Sequence, residues 1–197
     1  MKRLIKLISI MLAIAYLLLI PLNSLAAGAV SANVTDPLLN KWQGYGLVDK
    51  SLTNSDLNKA VQKIDFISLI NGIMKPTNKA NISFSDVPGG TWYGDEISKA
   101  VAAGYIDNKD KAKFNPFSEI TRLEAAIMVK RVFGLELKDK RLLSKITDAE
   151  AVEGKQLEEF AAVIEKGCLT PVAEGRYVPY GVLKLSDALN MLDICVG

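Results

Sequence analysis

Phe84-Ser85-Asp86-Val87, then Trp92, then Ile97 to Gly104, then Phe114-Asn115-Pro116 and Ile120-Thr121-Arg122-Leu123-Glu124: this stretch decides the fold. Asp86 with Pro88, Gly89 and Gly90 reads as a turn. Ile97, Ala100, Val101 and Gly104 are spaced as one face of a short helix that ends in glycine. Asn115-Pro116 closes the following loop, because proline steers the residue before it away from helix. Thr121-Arg122-Leu123-Glu124 is a capping box, in which the Thr121 hydroxyl takes a first-turn amide and Glu124 reaches back to the Thr121 amide. Ala125 to Phe133 is apolar on nearly every face, so that helix must be buried on most sides.

Sliding this stretch along the chain produces two fainter copies. About 63 positions on, Gly104-Tyr105-Ile106 falls on Gly167-Cys168-Leu169, Phe114-Asn115-Pro116 on Tyr177-Val178-Pro179, and Ile120 on Leu183. About 59 positions back, Ile120 to Glu124 falls on Val61-Gln62-Lys63-Ile64-Asp65. The outer copies keep their apolar second helices, at Ile64, Phe66, Ile67, Leu69 and Ile70, and at Leu185, Ala188, Leu189, Leu192 and Ile194. Their polar positions drift. Arg122 answers to Lys63 and to Leu185, and Thr121 to Gln62 and Lys184, neither a good cap. Three apolar helices too short to stand alone need a shared core. Periodicity therefore predicts an all-α, repeated fold.

The order of elements resembles the S-layer homology repeat, matched here at Phe84, Asp86, Val87, Trp92, Gly104, Phe114, Pro116, Ile120, Thr121, Arg122 and Glu124, with Leu123 where alanine is usual. The resemblance implies three repeats in a pseudo-threefold arrangement around a central three-helix bundle. The expected divisions are a signal peptide at 1–26, a short linker at 27–35, and repeats at 36–80, 81–137 and 138–197. Lys75 to Asn81 and Leu137 to Ser144 are the expected joins.

The start of the chain reads as an export signal. Lys2, Arg3 and Lys6 precede an apolar run to Ile20, and Ser24-Leu25-Ala26 offers small residues where a signal peptidase cuts. The alternative, an uncleaved anchor, needs a longer run than this one. Of 24 basic and 22 acidic residues, three basic and no acidic ones lie before residue 27, so the remainder is close to neutral. It has no polybasic run for nucleic acid, and no stable membrane insertion is expected after cleavage.

Nothing in the sequence points to catalysis. There is no histidine, the commonest general base and metal ligand. Two cysteines, Cys168 and Cys195, do not make a zinc site, although export would permit a disulfide between them. No phosphate-cradling loop or nucleophile elbow is present. Asp107-Asn108-Lys109-Asp110 lacks the glycine and terminal glutamate of a calcium loop, and reads as a solvated turn. No cofactor and no metal are expected.

Arg122 stands out, because a helix dipole favours acids rather than cations in the first turn. It is either a surface arginine paired with Glu119 or Glu124, or a bidentate donor to a carboxylate. The resemblance implies a ligand that carries such a carboxylate, secondary cell-wall polysaccharide bearing ketal-linked pyruvate. Candidate carbohydrate contacts are Arg122 and Thr121, with Trp92 as a stacking face, and Lys63 with Trp42 in the first repeat. Asp86, Glu124, Gly104 and Pro116 are expected to be structural. The expected function is non-catalytic anchoring at the bacterial cell wall, in the S-layer. The alternative is an exported interaction or structural module on the same fold, without sugar binding and with an unidentified surface protein as partner.

Overall fold

Helix α4, Arg122–Phe133, is set up by its own first turn. The Thr121 hydroxyl accepts from the Glu124 amide, and the Glu124 carboxylate accepts from the Thr121 amide, as the capping box predicts. Gly134 then ends the helix in the left-handed region (φ 63°), where a side chain would be strained. In this computed structural model, residues 36–108 and 112–197 are described, and they belong to one unit. The expected signal peptide, the linker and part of the Asp107 turn lie outside the described residues.

The remaining helices are α1 (Pro37–Gly44), α2 (Lys63–Met74), α3 (Trp92–Ala102), α5 (Gly154–Glu165) and α6 (Leu185–Val196). Short 3-10 helices occupy Asn54–Asn58 and Lys140–Lys145. Among the described residues no strand forms; there are only isolated bridges. The all-α expectation holds. Two helix starts are set by side-chain caps. Helix α3 begins at Trp92, because the Thr91 hydroxyl caps it by accepting from the Gly94 amide. The Leu137 to Ser144 join runs into 3-10 helix, started by Asp139 accepting from the Arg141 amide.

One local pattern occurs three times. Helices α1, α3 and α5 each run into a glycine at positive φ: Gly46 (71°), Gly104 (80°) and Gly167 (81°). Each of those amides donates to a carbonyl three residues back, at Gln43, Val101 and Ile164. The helices that follow, α2, α4 and α6, are twelve residues long and carry most of the core. Ile64, Ile67, Ile70, Ala125, Val129, Ala188 and Leu189 are fully buried. Truncating any one of the isoleucines to alanine would cost about 2–5 kcal/mol. Thr121 alone gives its helix a side-chain cap; Gln62 and Lys184 give none.

Helix α2 packs on α3, α4 on α5, and α6 back on α1. The segments leading into the three long helices meet in a closed set of backbone hydrogen bonds. Val61 N–H donates to Leu183 O (3.0 Å), Leu183 N–H to Ile120 O (2.9 Å), and Ile120 N–H to Val61 O (2.9 Å). The first amides of these helices also find carbonyls in a distant loop, which satisfies donors that a helix N-terminus leaves free. Lys63 and Ile64 donate to Ser118 and Pro116, Arg122 and Leu123 to Gly181 and Pro179, and Leu185 to Lys59.

Candidate functional site

Three places on the surface matter: two corners, where a long helix meets a distant loop, and one cleft. At the first corner Arg122 is 4% exposed, although it sits in the first turn of α4. Each of its three side-chain nitrogens is engaged within the chain. Nη1 meets Asp187 Oδ2 at 2.5 Å, Nη2 donates to Thr170 O at 2.6 Å, and Nε to Tyr177 O at 2.7 Å. Asp187 is the third helical residue of α6, the position that Glu124 holds in α4. The carboxylate that the guanidinium fits is thus supplied from inside, by neither Glu119 nor Glu124. A cleft of about 350 Å³, lined by Val172, Val178, Val182, Lys184 and Asp187, passes over the arginine.

Lys63 does the same work at the second corner with two polar contacts in place of three. Its ammonium pairs with Glu124 Oε1 (3.0 Å), reaches Phe114 O (3.3 Å), and sits 5.5 Å from the Phe114 ring centre. Burial alone would push the Glu124 carboxyl up, but the Thr121 amide and the Lys63 ammonium hold it below the usual carboxylate range. The Thr121 hydroxyl also lies 3.1 Å from Glu124 Oε2. Lys63, Thr121 and Glu124 therefore form one internal cluster.

Trp92 stands apart from both corners. It is 59% exposed and forms one wall of a cleft of about 500 Å³ with Asn71, Lys75, Pro76, Glu96 and Lys99. The indole is held edge-on against Tyr93 (87°, 5.8 Å between centres), and Tyr93 against Phe117 (5.1 Å). Below, Asn71 is fixed by Glu96 and by the buried Tyr105 hydroxyl, 2.7 Å from its Oδ1. Lys99 pairs with Glu96 at 2.6 Å. Lys75, in the left-handed region at the end of α2 (φ 50°), has no ion pair among the described residues. An open aromatic face beside an ammonium without an ion pair can hold a sugar ring bearing an anionic substituent, whereas the buried Asn71 amide is already bonded to Glu96 and Tyr105.

The model of the S-layer homology domain matches residues 83–126. Residues 83–126 are thus an S-layer homology domain. It is similar to an S-layer protein of Bacillus thuringiensis subsp. finitimus, 30% identical over 129 residues, and to the S-layer protein sap of Bacillus anthracis, 29% identical over the same length. Each alignment covers 66% of this chain and 15% of the relative. The surface-layer 125 kDa protein of Lysinibacillus sphaericus is 27% identical over 137 residues, 64% of this chain and 11% of that protein. The chain thus spans a small fraction of the length of these relatives.

The matched S-layer homology segment holds Trp92, Thr121 and Arg122, but the structure does not bring the tryptophan and the arginine into one site. Lys75 and Asn71 in the Trp92 cleft, and Asp187 at the Arg122 corner, lie outside the segment. Sequence reasoning missed them. Asp187 was open to detection, since it stands 63 positions after Glu124. Trp42 is not offered to a ligand, because α1 turns it into the core, where it is 2% exposed, against Leu39 and edge-on to Tyr45. Its indole N–H has no hydrogen-bond partner among the described residues.

The expected structural residues have definite tasks. Asp86 does not merely turn the chain: its carboxylate clamps the far loop by accepting from the Phe114 and Asn115 amides, both at 2.8 Å. Asp148 does so for Tyr177 and Val178. Pro116 contributes its carbonyl to the first turn of α2. The Cys168 and Cys195 sulfurs are 2.7 Å apart. Their mutual contact holds the Cys168 pKa down and, with burial, pushes the Cys195 pKa up.

Proposed function

We propose that this chain is a non-catalytic cell-surface anchoring module that grips secondary cell-wall polysaccharide through the Trp92 cleft. The observation that carries this reading is the tryptophan itself, a large aromatic side chain kept 59% exposed at the head of α3 in the family-matched segment. Hiding its apolar face would be worth about 2–3 kcal/mol, so a fold that leaves it open leaves it for a partner. Similarity to S-layer proteins supports a structural role at the cell wall. The pyruvate-bearing polymer implied by the family is anionic, and Lys75 is the uncompensated cation beside the indole. Residues 36–80, 81–137 and 138–197 are three S-layer homology units in a pseudo-threefold ring. The closed hydrogen bonds of Val61, Ile120 and Leu183 support that division.

Arg122 and Lys63 act in this reading as struts between units, and Thr121 as a cap. A second reading, an interaction module without sugar binding, is favoured by the engagement of both cations inside the chain. Sedimentation with purified cell walls, before and after the polysaccharide is stripped, separates the two. Anchoring requires co-sedimentation with intact walls, its loss on stripped walls, and its loss in Trp92→Ala. Binding that ignores stripping and Trp92 alike would favour the interaction module.

A further inference from the structure

The same corner occurs a third time, without its cation. Leu185 opens α6 as Lys63 opens α2 and Arg122 opens α4, and its amide donates to Lys59 O as theirs donate to Ser118 and Gly181. Asp65 is the third helical residue of α2, the position from which Glu124 and Asp187 hold Lys63 and Arg122. Leucine cannot complete the pair. Leu185 and Asp65 instead line a cleft of about 380 Å³ with Leu47, Leu52, Leu69 and Asp49. Asp49 also follows its glycine, Gly46, by three residues, as Thr170 follows Gly167.

We propose that this corner receives an arginine side chain from a partner polypeptide, with the guanidinium on Asp65 and the alkyl stem along Leu185 and Leu69. Arg122 shows what such a corner accepts, a planar fork between a first-turn carboxylate and loop oxygens. The apolar lining suits the stem. Lys59 also lines the cleft, but its ammonium is held by Asp56 at 2.6 Å, and Asp49 and Asp65 have no ion pair among the described residues. That charge repels an anionic wall polymer, so the site lies beyond the anchoring function. No group of acids close enough to hold a metal ion occurs among the described residues. Desolvation raises the Asp65 pKa, against the pull of the Gln62 amide, whereas Glu124, with its lysine, moves the other way.

The test uses the exported chain and the peptide acetyl-Gly-Gly-Arg-Gly-Gly-amide, with citrulline replacing arginine as the uncharged control. Methyl resonances of Leu185, Leu47 and Leu69 are followed by NMR. Saturable shifts at those methyls are expected at millimolar peptide, with the citrulline peptide at least tenfold weaker. Leu185→Arg supplies the cation internally, so it should abolish the response and raise Tm. Asp65→Asn should abolish the response with the protein still folded, and it decides the matter should Leu185→Arg fail to fold. Equal response to the two peptides, or a response undiminished in Asp65→Asn, overturns the proposal.

Discussion

The Arg122 corner and the Trp92 cleft belong to one matched segment and are built on opposite plans. At the corner a charged side chain is closed in and each of its three nitrogens has an acceptor within the chain. At the cleft an apolar side chain is left open. The difference teaches that the most recognisable charge in the motif is a joint within the chain, while the residue left open is an aromatic one. A guanidinium at 4% exposure has little left to give a ligand, whereas an indole at 59% has nearly a whole face.

The strongest way to break this comparison is Arg122→Ala. It leaves Asp187 and the Thr170 and Tyr177 carbonyls without their donor, and should cost roughly 3 kcal/mol of stability, read by urea denaturation. Wall binding by the protein that remains folded should be unchanged. Lost binding at full stability would hand the site back to the arginine. A second link in the same region sharpens the measurement. Cys168 and Cys195 should be oxidised to a disulfide in exported protein, adding about 2–4 kcal/mol. Mass measurement after alkylation without reductant should find no modified thiol; two modified thiols would refute the bridge.

Trp92→Ala should do the reverse of Arg122→Ala. Wall affinity should fall at least tenfold, about 1.4 kcal/mol, while stability stays within about 0.5 kcal/mol, as for an exposed side chain. A smaller effect is expected where the two loops differ. Val178 and Asn115 occupy matching left-handed positions, at φ 50° and 54°. Asparagine tolerates that region and a β-branched residue does not. Val178→Asn should therefore gain about 1 kcal/mol and Asn115→Val lose about as much, both read as Tm shifts.

The smallest effect is a pH dependence at the Lys63 corner. The folded pKa of Glu124 lies below its unfolded value, so its contribution to stability is present above the ordinary carboxylate range. It fades as pH falls through the folded value. Lys63→Met should flatten that acid limb in urea titrations between pH 5 and about 3. An unchanged limb would show that the pair carries no linkage.

Helix positions, the capping box and the apolar runs were legible in the sequence because they depend on near neighbours and on a period. Thr121 and Glu124 cap each other three residues apart, and Gly104 ends its helix on the spot. What could not be read was which partner a side chain meets across the fold. Arg122 finds Asp187 65 positions away and two carbonyls on another loop, and carbonyls leave no trace in a sequence pattern. Trp42 and Trp92 look alike as letters. Helix α1 turns one toward Leu39, and the Thr91 cap places the other at the first position of α3, facing outward.

The closure of α6 onto α1, with Val61, Ile120 and Leu183 bonded in a circle, gives the described unit a mechanical character that a linear stack of repeats lacks. A solenoid has outer units that can peel away one after another, since each touches only its neighbours. Here the last helix is the first helix's neighbour, through Lys41 and Asp193 among others, so there is no outermost layer. Tension applied to α1 is passed directly to α6, and the described unit is expected to yield as a whole rather than layer by layer.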